Sequence, residues 1–365
     1  MSIPTPAQSA SPTGGPAGAP SAPPPSGSPS RTSTGSPSGS STGARAWLLL
    51  GDRLDQDDVT RELTAHLDAA LGAGFAVVHT GSLVMGVRSG RLTLSTLTGT
   101  HVDPPEVVYA RLPTPRLSAD REITLLRHLR AMGALLLNPI DAVLSCVNKF
   151  WHLQQLAAAG LPVPDSVTYA DAPLAAAVAA SPFEPCVVKS VRGHRGDGVF
   201  LAPTGDALED LSGCLRQEVP YLFQEYRASS HGRDLRVVVV DGRAVWSQVR
   251  TAPGRRLKAN LARGGTATAC PGRYPQAEDL ACRAAGTLGL TVAGVDLLFM
   301  PDGAFDICEV NANVAWKAAA TTVAPAIVRA VCDRLRRSAP GRPDGRPGRA
   351  AGAGAGADSG APARR

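Results

Sequence analysis

The first third of the chain alternates short apolar runs with amphipathic stretches, which is the pattern of strands and helices in turn. It predicts strands at 46–51, 75–79, 106–112 and 134–138, with helices over 57–74 and 118–133. Runs such as AWLLLG are apolar at every position, which is typical of strands buried on both faces. Strands and helices joined by short connections predict a parallel α/β domain over 45–147, with a hairpin that turns at Ser89-Gly90.

From residue 148 hairpins replace this alternation, so the pattern favours an α+β domain over 148–337. Asp241 and Gly242 join two long apolar strands, and a Pro-Asp-Gly turn at 301–303 joins two more. Between these hairpins, 252–268 is predicted as a loop and 275–289 as a helix. A last helix is predicted over 315–337.

The two ends of the chain lack any apolar pattern. Residues 1–44 are nearly all Ser, Pro, Gly, Ala and Thr, and residues 338–365 are rich in Gly, Ala and Arg. Such stretches cannot bury enough apolar surface to offset their ordering entropy, so both predict disordered tails. The tails carry four of the six net positive charges. The rest of the chain has neither a basic stripe nor many aromatic residues, which argues against nucleic-acid binding.

The cysteines and the first residues bear on location. Seven cysteines, an odd number, show no metal-ligand spacing and lie mostly in apolar surroundings, as buried thiols do. The first residues lack the basic and apolar regions of a signal peptide, and no apolar run is long enough to span a membrane. We therefore expect a cytoplasmic protein that does not bind membranes.

Lysine is scarce, and each of the four lysines lies in or beside a segment with candidate chemistry. These are Lys149, Lys189, Lys258 and Lys317, whereas all other basic residues are arginines. A compact ammonium differs in function from a planar guanidinium, so the remaining lysines are candidates for contacts that arginine would serve poorly. A GC-rich genome explains the low count but not the placement.

Three glycines follow one of these lysines in VVKSVRGHRGDGVFL. A strand delivers Lys189, and Gly193, Gly196 and Gly198 let backbone N–H groups approach an anion before the next strand. The loop joins strand to strand, so it is neither a Walker loop nor a dinucleotide fingerprint. On this segment alone, an ordinary hairpin is an equal alternative.

Two further segments concentrate polar groups between apolar strands. Gln224, Glu225 and Tyr226 end a strand in a way that suits a hinge around a flat base, and Asp234 begins the next strand. The loop KANLARGG then places Asn260 beside glycines and Arg263. An exposed edge or a plain loop would also explain these charges, although the density of anion-binding donors favours function.

The hairpin 293–317 carries the strongest signal. If its turn centres between Asp302 and Gly303, Asp296 and Glu309 oppose each other, with Asn311 on the same face. Two opposed carboxylates destabilise a sheet unless something neutralises them. Two carboxylates and a carboxamide form an all-oxygen set that suits Mg²⁺, or Mn²⁺, holding phosphates rather than Zn²⁺.

These segments, in this order, resemble the ATP-grasp superfamily and its RimK-like branch of glutamate ligases. The resemblance covers about 134–335 and rests on NKF before GLPVP, the glycine loop, QEY, D-x-R, N-x-x-R-G-G and the GVD…EVN hairpin. It implies a pre-ATP-grasp domain over 45–147 and two ATP-grasp subdomains over 148–220 and 221–337. The EVN…WK ending looks most like the ligases that add glutamate to coenzymes.

The resemblance also implies a reaction and a role for each residue. ATP would phosphorylate a carboxylate, and an amine would attack the acyl phosphate to give an amide. Phosphate and adenine contacts are implied for Lys149, Lys189, Gly193, Gly196, Gly198, Gln224, Glu225 and Tyr226, with the ribose on Asp234. Arg236, Asn260 and Arg263 would stabilise the transferring group, and Asp296, Glu309 and Asn311 would bind the metal. Arg250, Lys258 and Lys317 would contact the substrate.

Some features depart from the family pattern, and some questions stay open. His194 and Arg195 replace the usual small residues of the glycine loop, and Ala-Asn-Val follows EVN. A regulatory ATP-binding protein without turnover and a phosphotransferase remain alternatives. The sequence names neither the acid nor the amine, which would belong to a small molecule or a peptide, and it leaves open a homo-oligomer.

Overall fold

The structure is a computed structural model that describes residues 43–51, 54, 57–113, 117–193, 198–254, 256–257, 259, 264–316 and 320–338. All of them belong to one compact unit, Ser40–Arg365. The predicted tails 1–44 and 338–365 lie almost entirely outside the described residues. The boundary between 147 and 148, and the one between 220 and 221, stay predictions.

The first part of the chain forms a four-stranded parallel sheet, as the alternating pattern predicts. Its strand order is β2-β1-β5-β6. The strands are β1 (Ala46–Leu50), β2 (Phe75–His79), β5 (Val107–Arg111) and β6 (Leu135–Leu137). Helices α1 (Asp58–Leu71), α2 (Thr124–Ala131) and α3 (Ile140–Ser145) connect or follow them, and β3 (Leu83–Arg88) pairs with β4 (Arg91–Thr96) in the predicted hairpin.

A small antiparallel sheet comes next, with the strand order β7-β10-β8-β9. Helix α4 (Lys149–Ala158) precedes it. Its elements are β7 (Ser166–Thr168), α5 (Leu174–Ala179), β8 (Cys186–Ser190), β9 (Val199–Ala202), α6 (Gly205–Cys214) and β10 (Tyr221–Glu225). Helices α5 and α6 share one core cluster with this sheet, and the opposite face packs on α4 through Leu153 and Leu222.

A large antiparallel sheet completes the fold, with the strand order β13-β12-β11-β14-β15. Its elements are β11 (Arg233–Val240), β12 (Arg243–Thr251), β13 (Thr266–Ala269), α7 (Pro275–Thr287), β14 (Val292–Phe299), β15 (Phe305–Asn311) and α8 (Val323–Ser338). Asp241 and Gly242 both have positive φ angles in the predicted hairpin turn.

Two core clusters lie on the two faces of the large sheet. On one face Val237, Val295 and Ile307 pack against α7. On the other face Val238, Val240 and Val292 share a core with Leu48 and Leu50 of the parallel sheet. Helices α1 and α8 also contribute to this shared core. Among the described residues, no helix has both the length and the apolar character needed to cross a bilayer.

Two predictions about elements were wrong, and one short helix was not predicted. The last helix begins at Val323 rather than 315. Residues 312–316 do not start it, because Asn313 and Val314 hydrogen-bond to residues at the end of β5. The predicted loop 252–268 contains the start of β13, whose four residues are all exposed and so give no apolar signal. Helix α3 was missed because it has only six residues and follows a proline.

Candidate active site

A row of directly opposed polar residues crosses four strands of the large antiparallel sheet. From β12 to β15 the row runs Gln248, Arg236, Asp296 and Glu309. Directly opposed residues of antiparallel strands point to the same face, so these four side chains share one surface. The sequence-predicted residues Arg236, Asp296 and Glu309 are therefore neighbours, although they come from three different strands.

The predicted opposition of Asp296 and Glu309 is confirmed, but the turn differs from the one assumed. Near the turn the strands pair one residue out of that register, with Phe299 opposite Phe305 and Leu297 opposite Ile307. A bulge then inserts Cys308 and restores the assumed pairing for Asp296. Asn311 lies opposite Gly294, two residues further along both strands.

Two arginines neutralise Asp296. Arg236 Nε and Nη2 donate to its two carboxylate oxygens at 2.6 and 2.7 Å, and Arg250 Nη2 lies 3.0 Å from Oδ2. Arg250 also makes a bidentate pair with Asp234, with both distances 2.6 Å. Charge-assisted bidentate pairs of this kind fix both partners in one geometry. We call Asp234, Arg236, Arg250 and Asp296 the charge quartet.

Burial and charge oppose each other at Asp296. Burial alone would raise the pKa of this carboxyl, but the charges and hydrogen bonds of Arg236 and Arg250 outweigh burial and hold the pKa below its usual value. Arg250 shows the same balance, because Asp296 and Asp234 more than offset its burial and raise its pKa. At Asp234 burial outweighs Arg250 and raises the pKa of the carboxyl. The formal charges of the two arginines and two aspartates cancel.

Lys149 and Lys189 lie at the edge of this surface, and both are buried. Lys149 Nζ donates to the carbonyl of Gly193 at 3.0 Å and lies 3.8 Å from Glu309 Oε1. Lys189 Nζ donates to Gln224 Oε1 at 2.5 Å and contacts Cys308 Sγ at 3.4 Å. Helix α4, strand β8 and the hairpin thus bring two ammonium groups to the acidic strand pair.

The glycine loop is described only at its ends. Gly193 accepts the Lys149 hydrogen bond, and the carbonyl of Gly198 accepts from the Ser190 backbone. Gly198 has a φ of +65°, and a Cβ there would come within 3.1 Å of Ser190 Cβ, so this position requires glycine. Gly196, His194 and Arg195 lie outside the described residues.

The predicted hinge ends β10. Gln224 is buried and donates to Ser166 Oγ at 2.8 Å, which holds its carboxamide between β7 and Lys189. Glu225 pairs with Arg227, and the Tyr226 hydroxyl lies 2.6 Å from His231 Nδ1. The contacts of this segment with adenine stay a prediction. Four other predicted residues, Asn260, Arg263, Lys258 and Lys317, lie outside the described residues.

The metal role of the hairpin stays a prediction, because both carboxylate oxygens of Asp296 accept hydrogen bonds from Arg236. Asp296, Glu309 and Asn311 supply only oxygen ligands from one face, and the buried Asn311 Nδ2 has no hydrogen-bond partner. The described residues contain no group of three or more His, Cys, Asp or Glu side chains fit for a metal ion. Two carboxylates and one carboxamide oxygen are the kind of ligands that Mg²⁺ accepts, because this ion takes few protein ligands and completes its shell with phosphates and water.

His152 is a buried residue of this region that the sequence did not single out. Its side chain is fully buried on α4, one turn after Lys149, and neither ring nitrogen has a hydrogen-bond partner. Burial, together with the charges of Lys149 and Lys189, lowers its pKa to about 3. A lone histidine in an apolar helix face gives no sequence signal that separates it from a core residue.

Comparison with known proteins identifies the class that this fold and site define. The chain matches the RimK-like ATP-grasp domain family over residues 146–333. It is 41% identical to human beta-citrylglutamate synthase B over 279 residues, which are 75% of this chain and 72% of that protein. It is 40% identical to mouse N-acetylaspartylglutamate synthase A over 283 residues, or 75% and 74% of the two chains.

Comparison with solved structures also finds an ATP-grasp fold. The ATP-grasp ligase PsnB, solved with a minimal precursor, superposes with a TM-score of 0.56 at 21% identity and covers 80% of this chain and 99% of its own. The chain belongs to the RimK-like ATP-grasp family, and the resemblance inferred from its motifs is confirmed. It is accordingly an ADP-forming acid–amino-acid ligase, which uses ATP to form an amide bond between an acid and an amino acid.

Proposed function

We propose that this ligase joins the amine of glutamate to a carboxylate of a small acidic molecule. The observation that carries the proposal is the match to two synthases whose names give glutamate conjugates of small acids. The matches span 279 and 283 residues, at 41% and 40% identity. The cytoplasm, as the compartment that supplies ATP, is part of the proposal.

The chemistry follows from the residues on the polar face. A carboxylate oxygen of the acid attacks the γ-phosphorus of ATP, and the bond to the bridging oxygen breaks to release ADP. The amine nitrogen then attacks the acyl carbon, loses a proton and expels phosphate. The chain's contribution is to hold the reactants in line and to stabilise charge, so it needs no protein nucleophile.

Each group of residues has one part in this scheme. Lys149 and Lys189 bind phosphate oxygens with compact ammonium groups, and the segment around Gln224 holds adenine. Asp296, Glu309 and Asn311 would hold Mg²⁺, which when bound neutralises the phosphates. Arg236 and Arg250 would stabilise the charge of the acyl phosphate and bind the substrate carboxylate. The formal charges of the quartet cancel, so net positive charge at the phosphates would come from the two lysines and a bound metal.

A coupled assay tests the proposal directly. Purified protein is incubated with ATP and Mg²⁺ and with pairs of one acid and one amino acid, and ADP and the product mass are measured. Citrate and N-acetylaspartate are the first acids, and glutamate, aspartate and glutamine are the amines. We expect ADP and an amide product only when acid and glutamate are both present.

The same assay separates the alternatives. ADP release with the acid alone would instead indicate a phosphotransferase-like step. ATP binding without ADP release for any pair would contradict the proposed substrates. A product formed equally well with aspartate would remove glutamate as the specific amine. Glu309→Gln protein serves as the inactive control in every arm.

A further inference from the structure

Residues Ala312–Trp316, which we call the anchored segment, follow Asn311 directly and are held by the parallel-sheet half of the chain. Four hydrogen bonds join the two. Asn138 Nδ2 donates to the Ala312 carbonyl at 3.0 Å, Asn313 Nδ2 to the Leu112 carbonyl at 2.8 Å, Arg111 Nη1 to the Val314 carbonyl at 3.0 Å, and Trp316 Nε1 to Glu62 Oε2 at 2.9 Å. A connecting loop needs no such number of specific anchors from one partner.

Arg111 is the central anchor. It ends β5, its side chain is 1% exposed, and its Nη2 donates to Asp57 Oδ2 at 3.1 Å. Asp57 in turn caps α1 through the Val59 backbone. The guanidinium also lies 5.8 Å from the centre of the Trp316 ring, and its buried Nε has no hydrogen-bond partner. One buried cation therefore fixes α1, β5 and the anchored segment relative to each other.

The other side of the anchored segment contacts the polar face. Gly294 lies directly opposite Asn311. A Cβ at Gly294 would come within 3.4 Å of Val314 Cγ1 and 3.9 Å of Arg236 Cζ. The Val314 side chain is fully buried and packs beside the backbone that faces Asn311. A shift of Val314 would therefore disturb the Gly294 backbone, which pairs with the predicted metal ligand Asn311.

A buried arginine is a costly way to obtain stability alone. Burying an ion has a large desolvation penalty, and apolar residues of similar volume often serve the fold equally well. The specific effect of Arg111 is on geometry. Its hydrogen bond fixes the position of the Val314 carbonyl, three residues after Asn311. Partners outside the ligand shell that orient a ligand commonly change metal affinity when they are removed.

We propose that Arg111 is a positioning residue for the ligase reaction: through the anchored segment it holds the Asn311 carboxamide in the geometry that receives the metal–phosphate end of ATP. This inference rests on the proposed metal role of Asn311. It assigns the parallel sheet a part in catalysis beyond the folding of its own half.

The test compares Arg111→Met and Arg111→Lys with the wild type. Mn²⁺ binding in the presence of ADP is measured by electron paramagnetic resonance, and kcat and the KM for ATP are measured with the identified substrates. We expect Arg111→Met to bind Mn²⁺ about tenfold more weakly. Its kcat should fall while its KM for ATP changes by less than about twofold, because the lysines still hold the nucleotide. Arg111→Lys should recover part of the Mn²⁺ affinity.

Arg45→Met is the matched control. Arg45 also joins the parallel-sheet half to a distant element, since its Nη2 donates to the Leu335 carbonyl of α8 at 3.1 Å, but it does not contact the anchored segment. Its removal should leave Mn²⁺ affinity unchanged. Amide hydrogen exchange over 311–316 should rise in Arg111→Met and not in Arg45→Met.

Unchanged Mn²⁺ affinity and unchanged exchange in folded Arg111→Met would overturn the proposal. So would a loss of affinity that Arg45→Met shares, because that result indicates a general loss of stability. If Arg111→Met does not fold, Asn313→Ala removes another anchor with less disturbance and carries the same prediction. The Mn²⁺ titration needs no turnover, so failure to find an amide product would contradict the proposed substrates without deciding this inference.

Discussion

The parallel sheet and the large antiparallel sheet place charge in different positions. Every residue of β1 is buried and apolar, and the polar side chains of this sheet, Arg111 and Asn138, come at or just after strand ends. In the large sheet, Asp234, Arg236 and Asp296 lie within the strands and face one surface. The first arrangement fixes backbone positions, whereas the second gathers paired charges on one face of a sheet. The comparison separates residues that set backbone positions from residues that we propose contact the reactants.

The largest expected effect comes from the acidic strand pair. Glu309→Gln keeps the side-chain size and removes one ligand charge, so turnover should fall to less than about one hundredth of wild type. The melting temperature without metal should change little, because the carboxamide keeps the size of Glu309 and Arg236 and Arg250 already neutralise the opposed Asp296. ADP release and thermal melting measure the two effects. Asp302→Asn, in the turn of the same hairpin, is the control that keeps activity, and wild-type rates from Glu309→Gln would remove this metal site.

The reverse result is expected in the core of the parallel sheet. Leu49 is fully buried, so Leu49→Ala should lower the free energy of unfolding by about 2–5 kcal/mol. The kcat of the remaining folded protein should match wild type, since Leu49 packs on the face that lies away from the shared core. Urea unfolding and steady-state kinetics test this, with the half-exposed Leu135→Ala as the control. A fall in kcat without a loss of stability would contradict the prediction that Leu49 serves the fold and not the reaction.

A nucleotide-specific effect is expected at Lys189. Lys189→Ala removes a charge-assisted phosphate contact and should weaken ATP binding about ten- to a hundredfold, or about 1.5–3 kcal/mol. Isothermal calorimetry measures the affinity. Arg216→Ala changes an exposed charge elsewhere in the small subdomain and should bind ATP as the wild type does. Equal affinity in Lys189→Ala would place this lysine outside the site.

The smallest effect concerns pH. His152 has a pKa near 3 when folded, below its ordinary value near 6.5, so the unfolded chain takes up the proton first as pH falls. The contribution of His152 to the free energy of unfolding is therefore fully present above about pH 6.5. It should decline by about 2 kcal/mol between pH 7 and pH 5. His152→Leu should flatten this part of the stability curve, whereas His66→Leu on the exposed side of α1 should not. Parallel curves for wild type and His152→Leu would contradict the assignment.

Most of the fold follows from local patterns in the sequence. Apolar runs and glycine-containing turns locate most strands of the described sheets, and the Asp241-Gly242 and Ser89-Gly90 turns come out as predicted. The elements that were missed have weak local signals, such as the exposed β13. The start of α8 depends on long-range anchors in the preceding residues, which no local pattern contains.

The candidate site was predictable as a set of residues but not as a set of contacts. The motifs single out Lys149, Lys189, Asp296 and Glu309, and the structure places all four in one region. The pairing of Asp296 with two arginines depends on the register of β14 against β11, strands separated by some sixty residues, so the sequence could not show it. The roles assigned to individual residues stay predictions.

The core shared by the two halves has a consequence for synthesis on the ribosome. Leu48 and Leu50 are synthesised early, but helix α8, which covers the same core through Ile327 and Val331, is synthesised much later. At a translation rate of about 5–20 residues per second, the apolar face of the first strands stays uncovered for roughly 15–60 seconds until α8 is synthesised. We expect the nascent chain to depend on chaperones during this interval, and a ribosome stall before residue 323 to leave it prone to aggregation. The order of translation, and not only the final stability, then sets how much active ligase a cell obtains.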